Sequence, residues 1–324
     1  MKSIVTVGGG TGQFALLSGL KQYPVQLSSI VSMADDGGST GILRDELGVL
    51  PPGDIRQCLV ALSESDLIMR KLFNYRFESG RMSGHNFGNI FLSTLEKITG
   101  SFEESVRVAG MVLAIRGQVI PVTTSDIALV SGEEKVLAGE EAINMAPLPE
   151  PKTLRLEPQA YANPKAVTAI ERADCIIIGP GNLFCSIVPN LLVKGISEAI
   201  SRSRASVVFN CNLMTKAGHT DGFSVRDFVD TIERYIGKGR VDFVTYNRRS
   251  PKQELLGRYA EEGEYLVSPD LGDNSTRTFE PLADDLISSR VYIQKQGDLL
   301  KRTLIRHDPT RLAGLIIQNC LKGI

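Results

Sequence analysis

The chain has 324 residues, of which 42% are hydrophobic and 23% charged, the composition of an ordinary globular protein. With 36 basic residues against 37 acidic ones the formal net charge is -1, which excludes a nucleic-acid binder built on global basic charge. Aromatic residues make up 6% and tryptophan is absent, so no stacking platform for single strands is expected. Cys58, Cys175, Cys185, Cys211 and Cys320 are scattered without a CxxC pair, the pattern of reduced, mostly buried thiols in a cytoplasmic protein. Met1-Lys2-Ser3 enters a strand directly, so no secretory leader is expected. No apolar run approaches the ~20 residues of a membrane span.

In chain order, residues 3–7 are a short apolar run of the buried parallel-strand type. It runs into Gly8-Gly9-Gly10-Thr11-Gly12 and a helical spacing of apolar residues up to Tyr23-Pro24. A second strand, 27–33, ends in Ala34-Asp35-Asp36-Gly37-Gly38-Ser39-Thr40-Gly41, which completes a βαβ unit. Pro51-Pro52-Gly53-Asp54 opens a helical stretch through Leu59, Leu62, Leu67 and Leu72. A further helix covers residues 83–98, beginning at Ser83-Gly84-His85-Asn86-Phe87-Gly88-Asn89. Residues 113–158 break the rhythm with strand-like pieces at 118–123, 127–130 and 154–156, read as a small β-rich insertion. Strands are then expected at 174–178, 205–210, 241–246 and 290–294. Helices are expected at 166–173, 189–203, 223–236, 251–262 and 309–321, with 268–280 a loop. The whole reads as a single α/β domain over 1–324, with a Rossmann-like three-layer parallel sheet, helices on both faces and the insertion.

Two glycine turns carry the chemistry. Gly8 to Gly12 and Gly179-Pro180-Gly181-Asn182 each follow an apolar strand and open a helix. Such turns let backbone N–H groups approach a phosphate, and two of them suggest the two lips of one crevice. The first lacks the third Rossmann glycine, since position 13 is Gln, and it lacks a P-loop lysine. Its plainer reading is a tight turn. Asn190, in Pro189-Asn190, and Asn212 and Thr215, after the strand ending at residue 210, add polar groups at the same end of the sheet.

Asp35 and Asp36 could hold Mg²⁺ that neutralises ligand phosphates, accept bonds from sugar or flavin hydroxyls, or cap the next helix. Asp54 reads as a second carboxylate for the same ion or as a helix cap. Ser39 and Thr40 fall in the same turn. His85 and Asn89 occupy a glycine-flanked helix start, where the histidine would serve as general acid, phosphate ligand or structural cap. His219 reads equally as a pocket residue or part of a turn, and Arg306-His307-Asp308-Pro309 as a helix start. No nucleophile elbow and no His/Cys metal spacing is present.

GGGTG, ADDGGSTGILR, PPGDIRQCL, SGHNFGN, IGPGNLF, PNLL and CNLMT, in order over residues 8–215, resemble the YvcK/CofD-like family. The likeness is greater to its bacterial gluconeogenesis-factor branch than to its 2-phospho-L-lactate transferase branch. Gln13, Asn182, Phe184, Cys185 and His219 depart from the family's usual Leu, Ser, Tyr, Thr and Glu. The resemblance implies a Rossmann-like fold and a cytoplasmic protein that binds a UDP-sugar of the UDP-GlcNAc type. It further implies a role in growth on gluconeogenic carbon sources and in cell shape. The transferase branch implies the alternative, an Mg²⁺-dependent transfer from a nucleoside-diphosphate donor, with Asp36 and Asp54 carried over as metal ligands. No organic cofactor is expected. The sequence leaves the oligomeric state open, a homodimer included.

Overall fold

The computed structural model describes residues 1–133, 136–148, 153–289 and 304–321. The first half runs β1 (Ser3–Gly8), α1 (Gly10–Leu20), β2 (Gln26–Val31), α2 (Gly38–Leu47), α3 (Gly53–Leu62), α4 (Leu67–Phe73), α5 (Phe87–Thr99), α6 (Phe102–Val112) and β3 (Gln118–Pro121). The middle holds β4 (Ala128–Ser131), β5 (Leu137–Ala138), α7 (Glu140–Met145) and β6 (Arg155–Glu157). The second half runs α8 (Pro164–Glu171), β7 (Cys175–Ile178), α9 (Val188–Leu191), α10 (Ile196–Arg202), β8 (Ser206–Asn210), α11 (Val225–Ile236), β9 (Phe243–Asn247), α12 (Gln253–Ala260), β10 (Glu280–Asp284) and α13 (Pro309–Cys320).

Seven strands form one parallel sheet in the order β10-β9-β8-β7-β1-β2-β3. Successive side chains of a strand point to opposite faces. All four residues of β7 are buried, as are five of the six in β1, so both faces are covered and the uninterrupted apolar runs are accounted for. The chain leaves β1 toward β2 and β3, then returns to place β7 on the other side of β1. Strand order therefore reverses between β1 and β7, which is where α/β sheets open a ligand crevice. In that register Val7 faces Ile30 on one side and Ile178 on the other, so both glycine turns leave the sheet at the same level.

Several expected boundaries change. Residues 118–121 belong to the main sheet as its edge strand, not to the insertion, which begins after β3. Val119 and Ile120 find partners on β2 and are buried. The insertion is a three-stranded antiparallel sheet, β5-β4-β6, with α7 packed on it. The single expected helix at 189–203 is two helices, α9 and α10, broken at Gly195 in a left-handed conformation, and a π turn over Leu183–Ile187 precedes them. The helical stretch at 54–72 is two helices separated by residues 63–66. β10 occupies the end of the expected 268–280 loop and the residues after it. The strand expected at 290–294 lies outside the described residues.

Candidate functional site

A crevice of about 910 Å³ opens at the switch point between β1 and β7. Its floor is the start of three helices. Gly9 precedes α1 in an extended conformation, Gly37 precedes α2 and Pro52 precedes α3, and no side chain caps any of them. Their first-turn amides and positive dipole ends therefore converge on one cavity, which suits an anion. Gly10 has φ +66°, a conformation that side chains disfavour. Gly12 lies so close to the Pro180 carbonyl that a Cβ would collide with it. The two turns are pressed together there, and only a glycine fits.

Asparagines brace the second turn. Asn182 accepts from the amides of Phe184 (3.2 Å) and Cys185 (3.3 Å) and donates to Asn144 Oδ1 (2.9 Å). Asn212 donates to the Gly181 carbonyl (2.8 Å), Asn210 to the Gly179 carbonyl (3.1 Å), and Asn190 to the Ser186 carbonyl (2.9 Å) and Gly8 carbonyl (3.4 Å). Carbonyls of both turns are thereby occupied, which favours presentation of their amides. Gln13, fully buried, packs against Gly8 from within α1.

The acidic groups separate into two roles. Asp36 is turned toward the insertion, where its Oδ1 accepts from the Glu141 amide (2.8 Å) at the start of α7. Asp35 accepts from the Gly37 amide (3.1 Å), and its other oxygen lies against Gly53. Asp54 has one oxygen against Gly9 and accepts weakly from Gln57 with the other (3.4 Å). Glu140 is the unexpected member. Burial first, then Asp35, Asp54 and Asp36, push its carboxyl well above the usual range, while the Cys185 thiol donates to it. Among the described residues no group of three metal-ligating side chains converges. The donors present fit a hard ion held by one or two carboxylates together with ligand oxygens, the habit of Mg²⁺, rather than a protein cage.

Fourteen of the expected residues line the crevice: Gly9, Gly10, Thr11, Gly12, Asp35, Asp36, Ser39, Thr40, Asp54, Asn89, Gly181, Asn182, Asn212 and Thr215. Gly8, Gly179, Asn190 and His85 stand behind it. His85 Nδ1 is 3.3 Å from the Ser39 hydroxyl, so it supports a wall residue. His219 also stands behind the wall, with Nε2 against the Ile143 (3.0 Å) and Ala146 (2.9 Å) carbonyls that end α7. Phe184 is buried against the His219 ring, centroids 6.3 Å apart, and not on the wall. Sequence reading missed Arg56, Arg76, Glu140, Asn144 and Lys216, and placed Arg306-His307 in a helix start; all line the crevice. The polar start of the insertion and the charged residue in PPGDIR were the available signals.

Fold and site define a doubly wound α/β protein with a ligand crevice at the switch point of its sheet. The family model described as "2-phospho-L-lactate transferase CofD" matches residues 4–287, and the chain belongs to that family. A Thermotoga maritima protein, provisionally named gluconeogenesis factor, is 42% identical over 97% of this chain and 98% of its own length. The gluconeogenesis factor of Bacillus subtilis is 35% identical over 97% of this chain and 96% of its own. The crystal structure of a UPF0052 family member from Bacillus halodurans superposes with a TM-score of 0.89 at 36% identity, covering 98% of this chain and 99% of that one.

Proposed function

We propose that this protein is a gluconeogenesis factor that binds a nucleotide sugar of the UDP-GlcNAc type and acts as a regulatory binding protein. In this reading it is needed for growth on gluconeogenic carbon sources and for cell shape. The observation that carries the binding step is the uncapped start of α1 at Gly9-Gly10, facing the turn at Gly181-Asn182 across the switch point. The diphosphate lies on the amides of these two turns, where the dipole of α1 favours negative charge. Asp54 and Asp35 would hold any accompanying Mg²⁺, whose chemistry is to neutralise phosphate oxygens. Asp36 serves the ion only indirectly, since its carboxylate is engaged with α7. The names of the relatives support the gluconeogenic part of the reading.

Thermal melting with UDP-GlcNAc, UDP-glucose, GDP and Mg²⁺, singly and combined, tests this. Ligand at about 100 times its Kd adds ~2.7 kcal/mol of stability. Stabilisation by UDP-sugars without turnover supports the sensor. Mg²⁺-dependent stabilisation by guanine nucleotides alone would favour the transferase reading that the acidic residues around Gly9 also allow. Gly10→Val should abolish the stabilisation, because a β-branched residue at φ +66° deforms the turn.

A further inference from the structure

A second cavity, of about 260 Å³, lies beside the crevice at the ends of β8 and β9. Asn212 and Leu213 line both cavities. Part of the smaller one is walled by residues 266–268, which are tied on two sides. The Val267 amide donates to the Leu213 carbonyl (3.2 Å), and the Val225 amide at the start of α11 donates to the Ser268 carbonyl (2.9 Å). Tyr246 and Asn247, which end β9, supply more of the lining. Asn247 Oδ1 accepts from the Leu286 amide (3.1 Å) and the Arg249 amide (3.3 Å), so tertiary bonds set the turn that follows. In that turn Arg249 is paired with Asp285 (2.7 Å). Arg248 is anchored by its amide on the Asp284 carbonyl (3.0 Å), and its guanidinium has no acceptor among the described residues. Asn212, shared by the two cavities, donates through Nδ2 to the Gly181 carbonyl (2.8 Å). Its Oδ1 is buried with no partner among the described residues, although buried acceptors are nearly always bonded.

We propose that this cavity receives the base of the nucleotide, a uracil, while the diphosphate lies on the glycine turns. The inference rests on the nucleotide-sugar reading and deepens it, by assigning the end of the ligand away from the sugar. Pockets for whole ligands run to about 300–1,000 Å³, so about 260 Å³ suits one ring of a larger ligand. Neighbouring strands are ~4.8 Å apart, and β9 stands two strands from β7. The cavity is thus roughly 10 Å from the second glycine turn, the scale of a nucleoside. Leu213, Val225 and Leu266 give it apolar walls, and Tyr246 adds an aromatic ring. The far end of the main crevice suits a base less well, since Lys216 and Glu264 there form an ion pair (3.0 Å). A guanidinium only donates, and uracil has a carbonyl on each side of its ring N–H. Arg248 therefore pairs with a uracil carbonyl, where cytosine would present an amino group on one side. Asn212 Oδ1, between base and phosphates, accepts from a ribose hydroxyl.

Titration calorimetry with UDP, CDP, GDP and inorganic pyrophosphate separates recognition of the base from that of the phosphates. Wild-type protein is expected to bind UDP about ten-fold or more tightly than CDP or GDP, the size of a charge-assisted bond. Arg248→Gln, at an exposed position, should bring the ratio of UDP to CDP affinity close to one and leave pyrophosphate affinity within about three-fold. Ser250→Trp, also at an exposed lining position, fills part of the cavity and should weaken UDP about ten-fold with pyrophosphate again unchanged. Melting curves check the fold of both variants. Equal affinity of wild-type protein for UDP and CDP, or UDP binding that both variants leave intact, overturns the base pocket and leaves the nucleotide reading standing. A preference for GDP, or no binding of any of the four, overturns both.

Discussion

Gly12 has no room for a methyl group. Its Cα faces the Pro180 carbonyl across the seam between the two turns, so Gly12→Ala must part them. The expected cost is about 1–3 kcal/mol, as for overpacking in a closed interior, and a melting curve reads it. Nucleotide affinity should fall with it, because the lips of the crevice move apart. Glu140 gives the opposite expectation. Its carboxyl is held above the usual range by burial and by the three neighbouring aspartates. The folded state therefore holds the proton more firmly than the unfolded state. The stability it contributes is present at acid pH and is lost as pH rises through the raised folded value. Glu140→Gln should accordingly raise the melting temperature at pH 8 and leave it nearly unchanged at pH 4. An unchanged melting temperature at pH 8 would contradict the buried charge. Neither residue's situation was visible from its neighbours in the chain. Gly12 was legible as part of a loop, but its contact is with a residue 168 positions away by numbering, 180 against 12.

Among the elements, α7 does most to shape the site with the least sequence signal. It has six residues, too few for an apolar period to declare itself. Three distant groups hold it: Asp36 at its start, Asn182 at Asn144, and His219 at its last carbonyls. Asp36→Ala removes the acceptor for the Glu141 amide, at a cost of about 1 kcal/mol by analogy with a lost cap. Hydrogen exchange should then speed up through residues 140–145 and stay unchanged in β1 and β7. Uniform acceleration would mean that Asp36 supports the whole domain instead. The strands tell the reverse story. The runs at 3–7, 174–178 and 205–210 were legible because both of their faces are buried and, Asp174 and Asn210 apart, their residues are apolar or small. Residues 118–121 carried the same pattern, yet their assignment to the main sheet depended on pairing with β2, which local sequence does not encode.

At the scale of the whole molecule, the segment leading into the C-terminal helix, residues 304–307, forms part of the crevice wall. α13 packs on α1 and β9, and brings His307 to the cavity wall in front of it. Burial lowers the His307 imidazole to about 4, although a bond to the Cys211 carbonyl opposes the shift. Burial lowers His219 as well. For both, the unfolded chain binds the proton more readily than the folded one. The stability they contribute is complete above the ordinary histidine value of ~6.5 and declines as pH falls toward the folded value. Melting temperature should drop between pH 7 and pH 4.5, and the drop should shrink in His307→Gln. A pH dependence unaltered by that substitution would remove His307 from the account. No helix among the described residues is long and apolar enough to cross a membrane.

The sequence by itself determined the α/β class, the positions of the central strands and the two glycine turns. Each of these rests on local physics: continuous apolar runs for strands buried on both faces, and glycine where backbone must turn sharply or approach a phosphate. It also supplied the part of the crevice wall built from the glycine turns and strand ends, because residues that end parallel strands meet wherever the strands are paired. Only the tertiary structure decided which polar groups face the cavity and which stand behind it. His85, at a glycine-flanked helix start, and Asn190, in Pro189-Asn190, support other residues, while Arg56, Glu140 and His307 reach the wall from a helix, the insertion and the C-terminal segment. The direction a side chain takes depends on what packs against its element, and those partners lie far away in the chain.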